Sequence, residues 1–472
     1  MAADFLQDKT NKILLRMSIP ISLGMISTIL FQVVDTYFVG QLGTRELTAL
    51  GFASTVYFLL VGLYIGVSVA VSIQVGRLAG EGQGSKAHRA ALIGMAVSWV
   101  LSSLFSILGL FSIDPLFGLL GATPDLIEPI REYLIPMYLG LPILAIAMAG
   151  GAVLRSNGFV RSPEIIFGVG GIINVILDYV LIFGTGPFPE MGIQGVAVGT
   201  VVSWIVMLVL VLIYLVKSRL INFQGLFGTE TGVLLKELLA LAVPTGVTQL
   251  VGPFTLLYVT FLLGQETSEA VAAFGVAGRI ETLMMIGIMA VCTASTPFIA
   301  QNLGAQKHER IDEAVIFGGK SAFYLGFLLM IVMVVAVGPI ARIFSDDPAI
   351  IGYTKTYFYW VSLSYTFYGF YLITASIFNG LQMPKKAMRI VLVKTLGFTI
   401  PLGLIGAYFG VLGIFIGLAL SNVAGGIYAA YLMRKQLKMV NSPLAQKNPV
   451  ESYRDDLVSI ASGVAALVKR KG

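Results

Sequence analysis

"LLRMSIPISLG" at residues 14–24 and "VGQLGTRELTALG" at 39–51 return 224 positions later as "LLALAVPTGVT" and "LGQETSEAVAAFG". The match sets Pro20 on Pro244, Gly40-Gln41 on Gly264-Gln265, Gly51 on Gly275 and Gly80 on Gly304. Further along, at slightly smaller separations, Asn157-Gly158 faces Asn379-Gly380, and "GIQGVAVGTVVS" faces "GVLGIFIGLALS". A period close to half of the 472 residues means that the chain is two copies of one unit, so the fold follows from what one unit contains.

Each unit is written for lipid. The chain is 57% hydrophobic and 12% charged, where a soluble chain has about 25% charged residues. Windows long enough to cross about 30 Å of hydrocarbon at about 1.5 Å per residue fall at 13–38, 47–75, 89–113, 133–154, 164–183, 193–216, 234–263, 270–297, 313–339, 350–378, 387–409 and 411–433. Six spans per copy is an even number, so both copies enter the membrane with the same orientation and are related by an axis along the membrane normal. The expected fold is an all-α polytopic membrane protein of twelve transmembrane helices in two six-helix lobes. The lobes are expected at 1–216 and 234–435, with a linker at 217–233 and a tail at 436–472. The pairs Gly195/Gly199 and Gly413/Gly417 suit close helix packing and are given no role with substrate.

Charge sets the orientation. Only Arg45, Arg131, Arg342 and Lys355 lie on the odd-numbered connections, whereas the N-terminus and the even-numbered ones carry most of the remaining Lys and Arg. The positive-inside rule then places both termini in the cytoplasm, and the net charge of +6 follows from this bias and the basic tail. No basic patch is left for a nucleic acid. The opening "MAADFLQDKTNKILLRMSIPISLG" lacks a small-residue cleavage site, so the first span is expected to be retained. The tail segment "DDLVSIASGVAALVKRKG" is too short to span and either lies on the inner membrane surface or is loosely ordered. A single cysteine, Cys292, forms no internal disulfide and is expected to pack in the core.

Against this background the run "ILFQVVDTYFVGQLG" (29–43) holds an aspartate, Asp35, and the fifth window holds Asn174 and Asp178. Asp35 aligns with Val259 in the second copy, and the segment matching "GGIINVILDYVLIFG" has no acid, so the repeat is broken where the polar chemistry lies. Both carboxyls sit about 7–10 Å inside the same ends of their helices and so share a layer; Asn174, one turn from Asp178, shares its face. An aspartate at a helix centre in lipid costs roughly 2.5–3.5 kcal/mol, which makes it a functional-site candidate. No Lys or Arg of the first six windows lies near that depth. Two acids in a dry cleft without cations are suited to share one proton, and with the Asn174 carbonyl they also offer hard oxygen ligands for Na⁺. The plainer alternative is that each acid pairs with a neighbouring donor to fix packing. Pro20, fifteen residues before Asp35 in the same helix, removes a backbone hydrogen bond and is read as a hinge or as a static kink.

The second copy has Arg279, Glu281, Lys320 and Lys394, expected to form a buried structural network or else a second coupling site. Its aromatic run "YFYWVSLSYTFYGFY", with Tyr365 and Tyr368, and the neighbouring Met284 and Met285 offer a surface for flat lipophilic cations, as do Tyr37 and Tyr138 in the first copy. All six are candidate substrate contacts, or else core. "GEGQGSKAH" lacks the order of a phosphate-binding P-loop, so ATP is not expected to drive the protein. His88 and His308 read as solvated loop residues.

The paired proline segments, the loops "GRLAGEGQ" and "AQNLGAQ" and the two "NG" turns resemble the multidrug and toxic compound extrusion (MATE) family over about residues 10–435. Acids in the first and fifth helices, with none in the seventh, are similar to its bacterial DinF-type branch. The resemblance implies a bacterial inner-membrane antiporter, not an enzyme. It would need no cofactor beyond H⁺ or Na⁺ as the coupling ion, would export amphipathic or cationic organic compounds and would work as a monomer in lipid. Bending of the first helix at Pro20, closing the cavity of the first lobe, is likewise implied by the resemblance. The alternative is a lipid-linked precursor flippase of related two-lobed fold, for which a basic cluster in the central cleft would be expected to hold a pyrophosphate; the first lobe has none. A third class, an intramembrane enzyme, needs a nucleophile or metal constellation that the sequence does not offer.

Overall fold

The computed structural model describes residues 3–221 and 230–439. Residues 222–229 of the expected linker at 217–233 and nearly all of the expected tail, with its membrane-surface segment, lie outside the described residues.

Twelve helices are long and apolar enough to span a membrane: α1 Thr10–Leu42, α2 Thr44–Gly80, α3 Gly84–Leu119, α4 Pro124–Ser156, α5 Arg161–Phe183, α6 Gly192–Lys217, α7 Thr231–Gly264, α8 Ser268–Gly304, α9 His308–Phe344, α10 Pro348–Gly380, α11 Pro384–Ala407 and α12 Gly410–Met439. Each covers nearly all of its apolar window, and most run past it at one or both ends, because helical hydrogen bonding continues into the polar interface once the apolar stretch has nucleated it. The boundaries follow local chemistry. Proline opens α4, α10 and α11, where its missing N–H costs nothing. The side chains of Thr267 and Asp347 accept from the backbone N–H of Ala270 and Ala349 ahead of α8 and α10. Gly43 alone joins α1 to α2, at φ 145° and ψ 172°, a conformation open in practice only to glycine.

Two separate apolar cores hold the bundle. One is built from α2 to α6 with Val39 of α1, the other from α8 to α12 with the far end of α7. Neither core respects chain order at the end of the bundle that carries Thr10 and Met439, called here the basic end. Ile13, Leu14, Met17 and Ile21 of α1 are buried in the second core, and Leu234, Leu238 and Ala242 of α7 are buried in the first. Each lobe thus lends the start of its first helix to the other.

Polar contacts fasten both exchanges. Arg77 pairs with Glu237 at 2.7 Å and Lys86 with Glu230 at 3.0 Å, and Gln74 donates to the Leu234 carbonyl at 2.9 Å. On the other side Asn302 and Arg310 donate to the Phe5 carbonyl at 3.1 and 3.0 Å, and Lys307 to that of Leu6 at 2.8 Å. Between the two fastenings α2 crosses α8 at the glycines that the repeat pairs. A Cβ on Gly80 would fall 1.9 Å from the Gln301 carbonyl oxygen, and one on Gly304 would fall 2.1 Å from that of Arg77. The lobes are therefore sealed together, backbone on backbone, at the basic end.

Candidate coupling site and central cavity

Above that seal lies a cavity of about 470 Å³, lined by α1, α2, α4, α5, α6 and, from the second lobe, Thr293 and Thr296 of α8. The stripe that α1 presents to it runs Ile21, Gly24, Met25, Thr28, Phe31, Gln32 and Asp35. Steps of three and four residues mark one face of a helix about 21 Å long. From residue 22 to residue 38 no α1 side chain is buried, so this stretch is held by little packing. Pro20 stands at the boundary between it and the segment anchored in the second core. The helix passes Pro20 without interruption.

Asp35 closes the stripe, half-buried in the cavity wall, and the carboxyl of the wholly buried Asp178 comes within hydrogen-bonding reach of it. Asn174 Nδ2 donates to Asp178 Oδ1 at 3.0 Å and to Thr200 Oγ1 at 3.2 Å. Asp35 Oδ1 and Asp178 Oδ2 are buried without a partner among the described residues. Two carboxylates cannot bond each other directly; a proton shared between them or a cation coordinated by both would satisfy their oxygens. Sequence spacing had grouped Asp35, Asn174 and Asp178, and the structure brings the three together. It adds two neighbours. Thr200 caps the Asn174 amide, and Gly199 lets α6 approach so closely that a Cβ there would lie 2.5 Å from Asp178 Oδ1. Gly199 thus sits beneath the acid, a place its spacing from Gly195 did not disclose.

The aromatic residues expected at the cavity wall are elsewhere. Tyr37 is two positions past Asp35, about 200° around the helix, and is 64% exposed on the outer face of α1. Tyr138 is buried in the first core with its ring against Gly109. The flat surface in the cavity comes instead from Tyr57 and Trp204, whose rings are stacked at 8° with centroids 6.2 Å apart. Both were visible in the sequence, but as ordinary members of apolar runs. At the basic end the cavity is bounded by Arg155 and Glu164, bonded through Nε to Oε1 at 3.0 Å.

The charges of the second lobe lie in different settings. Arg279 is exposed, whereas Lys394 is buried with its ammonium over Tyr368 and Tyr371, 5.2 and 5.5 Å from the ring centroids. Glu281 accepts from the Tyr357 hydroxyl at 2.5 Å. Lys320, on α9, is half-buried. Lys394 stands on a π-helical stretch, Val393–Thr399, a rare form found frequently at functional sites. Met285 and Tyr365 are buried in the second core, and Met284 and Tyr368 pack against it; none of the four lines the cavity. Aromatic spacing on α10 fixed a face, and that face meets α8 and α11 rather than the cleft.

The family model described as MatE matches residues 20–180 and 244–405, so that each match opens on one of the paired prolines. The chain is 33% identical over 437 residues, 92% of its length and 97% of the relative's, to the FAD transporter of Shewanella oneidensis. It is 24% identical to the probable multidrug resistance protein NorM of Thermotoga maritima, over 85% of the chain and 89% of that protein. Among solved structures, the Vibrio cholerae MATE transporter VcmN in the bent form superposes with a TM-score of 0.87 at 25% identity, covering 92% of this chain and 98% of that one.

Proposed function

Because the chain belongs to the MatE family, we propose that it is a secondary-active antiporter that exports flat amphipathic organic compounds in exchange for H⁺ or Na⁺ taken up at Asp35. The observation that carries this reading is the Asp35 carboxyl, set in the wall of a cavity in one lobe only, with the buried carboxyl of Asp178 behind it. In this reading the acids are of the DinF-type arrangement, the basic end faces the cytoplasm of a bacterial cell and the sealed lobes hold the cavity shut on that side. An ion moving inward contributes about 2.3 kcal/mol per charge per 100 mV.

The geometry supports a simple cycle. Ionised, the pair draws a cation, whether substrate or Na⁺, to the cavity. A proton or Na⁺ arriving between the two carboxyls removes that attraction and binds α1 to α5. The sparsely packed stretch of α1 then shifts about Pro20, whose lower neighbours are anchored in the opposite lobe, and the cavity narrows. VcmN, a protein of the same architecture, has been solved in a bent form.

A second reading concerns the cargo. The relative at 33% identity is an FAD transporter, and a stacked Tyr57–Trp204 surface suits a flavin ring as well as a flat drug. Efflux of ethidium, riboflavin and FAD from vesicles of the reconstituted protein, with an imposed pH gradient or Na⁺ gradient, tests both parts. Gradient-dependent movement of any of these supports export. Movement that ignores both gradients sinks the antiport reading.

A further inference from the structure

We infer that Arg155 recognises an anionic group, phosphate or carboxylate, on the exported compound; the inference rests on the export reading and names a substrate class for the same cavity. Arg155 is the one cation among the described residues that line it. It ends α4, while Glu164 opens α5, and their bond uses a single N–H, from Nε to Oε1. The two terminal nitrogens carry four more donors, and no hydrogen bond from them to the described residues is found. An ion pair that served packing alone would be expected to close as a fork on both carboxylate oxygens. Here Glu164 holds the guanidinium by its edge and leaves the fork free. Nη1 lies beside Gly151, where a Cβ would stand at ordinary contact distance, 3.5 Å, from it and closer, 3.2 Å, to the Phe167 ring.

The position suits an elongated molecule. The second oxygen of Glu164 lies against Gly24, where a Cβ would come within 2.4 Å of it. Gly24 is eleven residues from Asp35, which places the arginine layer about 16 Å from the acid layer. A cavity with Asp35 at one end, a stacked aromatic wall between and Arg155, its terminal nitrogens not bonded to the described residues, at the other favours a compound with a flat ring and an anionic tail. The planar fork of arginine matches phosphate and carboxylate oxygens two at a time, which an ammonium does not.

The test compares riboflavin with its monophosphate, FMN, and with ethidium, in binding to and export by the reconstituted native protein, Arg155→Gln and Arg155→Lys. The readout is the ratio of FMN to riboflavin affinity, which loss of fold or general damage does not shift selectively. The native protein is expected to favour FMN by about tenfold or more, Arg155→Gln to bring the ratio close to one, and Arg155→Lys to recover part of it. A native protein that exports ethidium but does not favour FMN, or an Arg155→Gln protein with the native ratio, overturns the inference while leaving export intact. If none of the three compounds moves, the export reading fails and this inference with it.

Discussion

The two lobes were built from one template and differ where it matters. Where α1 carries Asp35 half-buried in a cavity wall, α7 carries Val259 wholly buried in the second core. Gly199 and Gly417 are matched by the repeat, and both bring the last helix of their lobe against the one before it. The first meets Asp178 and the second meets the backbone of Leu402. Pro20 borders a sparsely packed stretch, whereas Pro244 is itself buried beside Thr245, whose hydroxyl donates to the Gly66 carbonyl at 2.8 Å. Duplication preserved the helix contacts and let the buried polar groups diverge. In the proposed cycle the second lobe is the frame against which the first one moves.

This comparison breaks first at the acids. Replacing Asp35 by Asn is expected to cut gradient-driven efflux to about 1% of native, with binding of a neutral flavin retained, measured in reconstituted vesicles. Replacing Glu281 by Gln in the second lobe is expected to cost far less, about threefold or under; an equal loss would mean that the second lobe also carries the coupling ion. An isosteric Asp178→Asn falls between, at about a tenfold loss, since Asn174 and Thr200 still hold the position while the shared proton is gone.

The prolines sharpen the contrast. Pro20→Ala restores a backbone hydrogen bond and is expected to slow turnover by about fivefold, whereas Pro244→Ala leaves it near native. Equal effects on turnover would remove the hinge from α1. The smallest difference is expected where the lobes are most alike. Gly80→Ala and Gly304→Ala each set a Cβ against backbone across the α2–α8 crossing, and each is expected to destabilise the sealed form by about 1–3 kcal/mol. The check is the rate at which cysteines placed beside the crossing become accessible to a thiol reagent from the basic side. A marked inequality between the two would show that the seal is not symmetric.

The legible parts of the site were those fixed by helix periodicity alone. Asp35 and Pro20 share α1, Asn174 and Asp178 share a face of α5, and the four were named from spacing and from the cost of burying a carboxylate. The rest depended on neighbours. Tyr37 is close to Asp35 in sequence and on the other side of its helix. Tyr138, Tyr365 and Met285 are indistinguishable by type from the aromatic and apolar residues that do line the cavity, Tyr57 and Trp204 among them. Arg155, by its place at a helix end, is one more cation of the even-numbered connections in sequence, and only the meeting of α4, α5 and α1 sets it at the cavity. The settings of the second lobe's charges, with Arg279 exposed and Lys394 buried, depended on neighbours too, because sequence gives depth but not rotation.

Length and polarity by themselves determined twelve helices, because a backbone in lipid must satisfy its own hydrogen bonds and a span of given length has no other means of doing so. The internal repeat determined two lobes of like orientation. Tertiary structure alone decided that α1 and α7 exchange their first turns between the lobes, that the seal lies at Gly80 and Gly304, and that the cavity has an acid layer at one end and Arg155 at the other. The reason is physical: periodicity fixes which residues share a face of a helix, while the rotation of that face and the neighbour it meets are set by packing against the other helices.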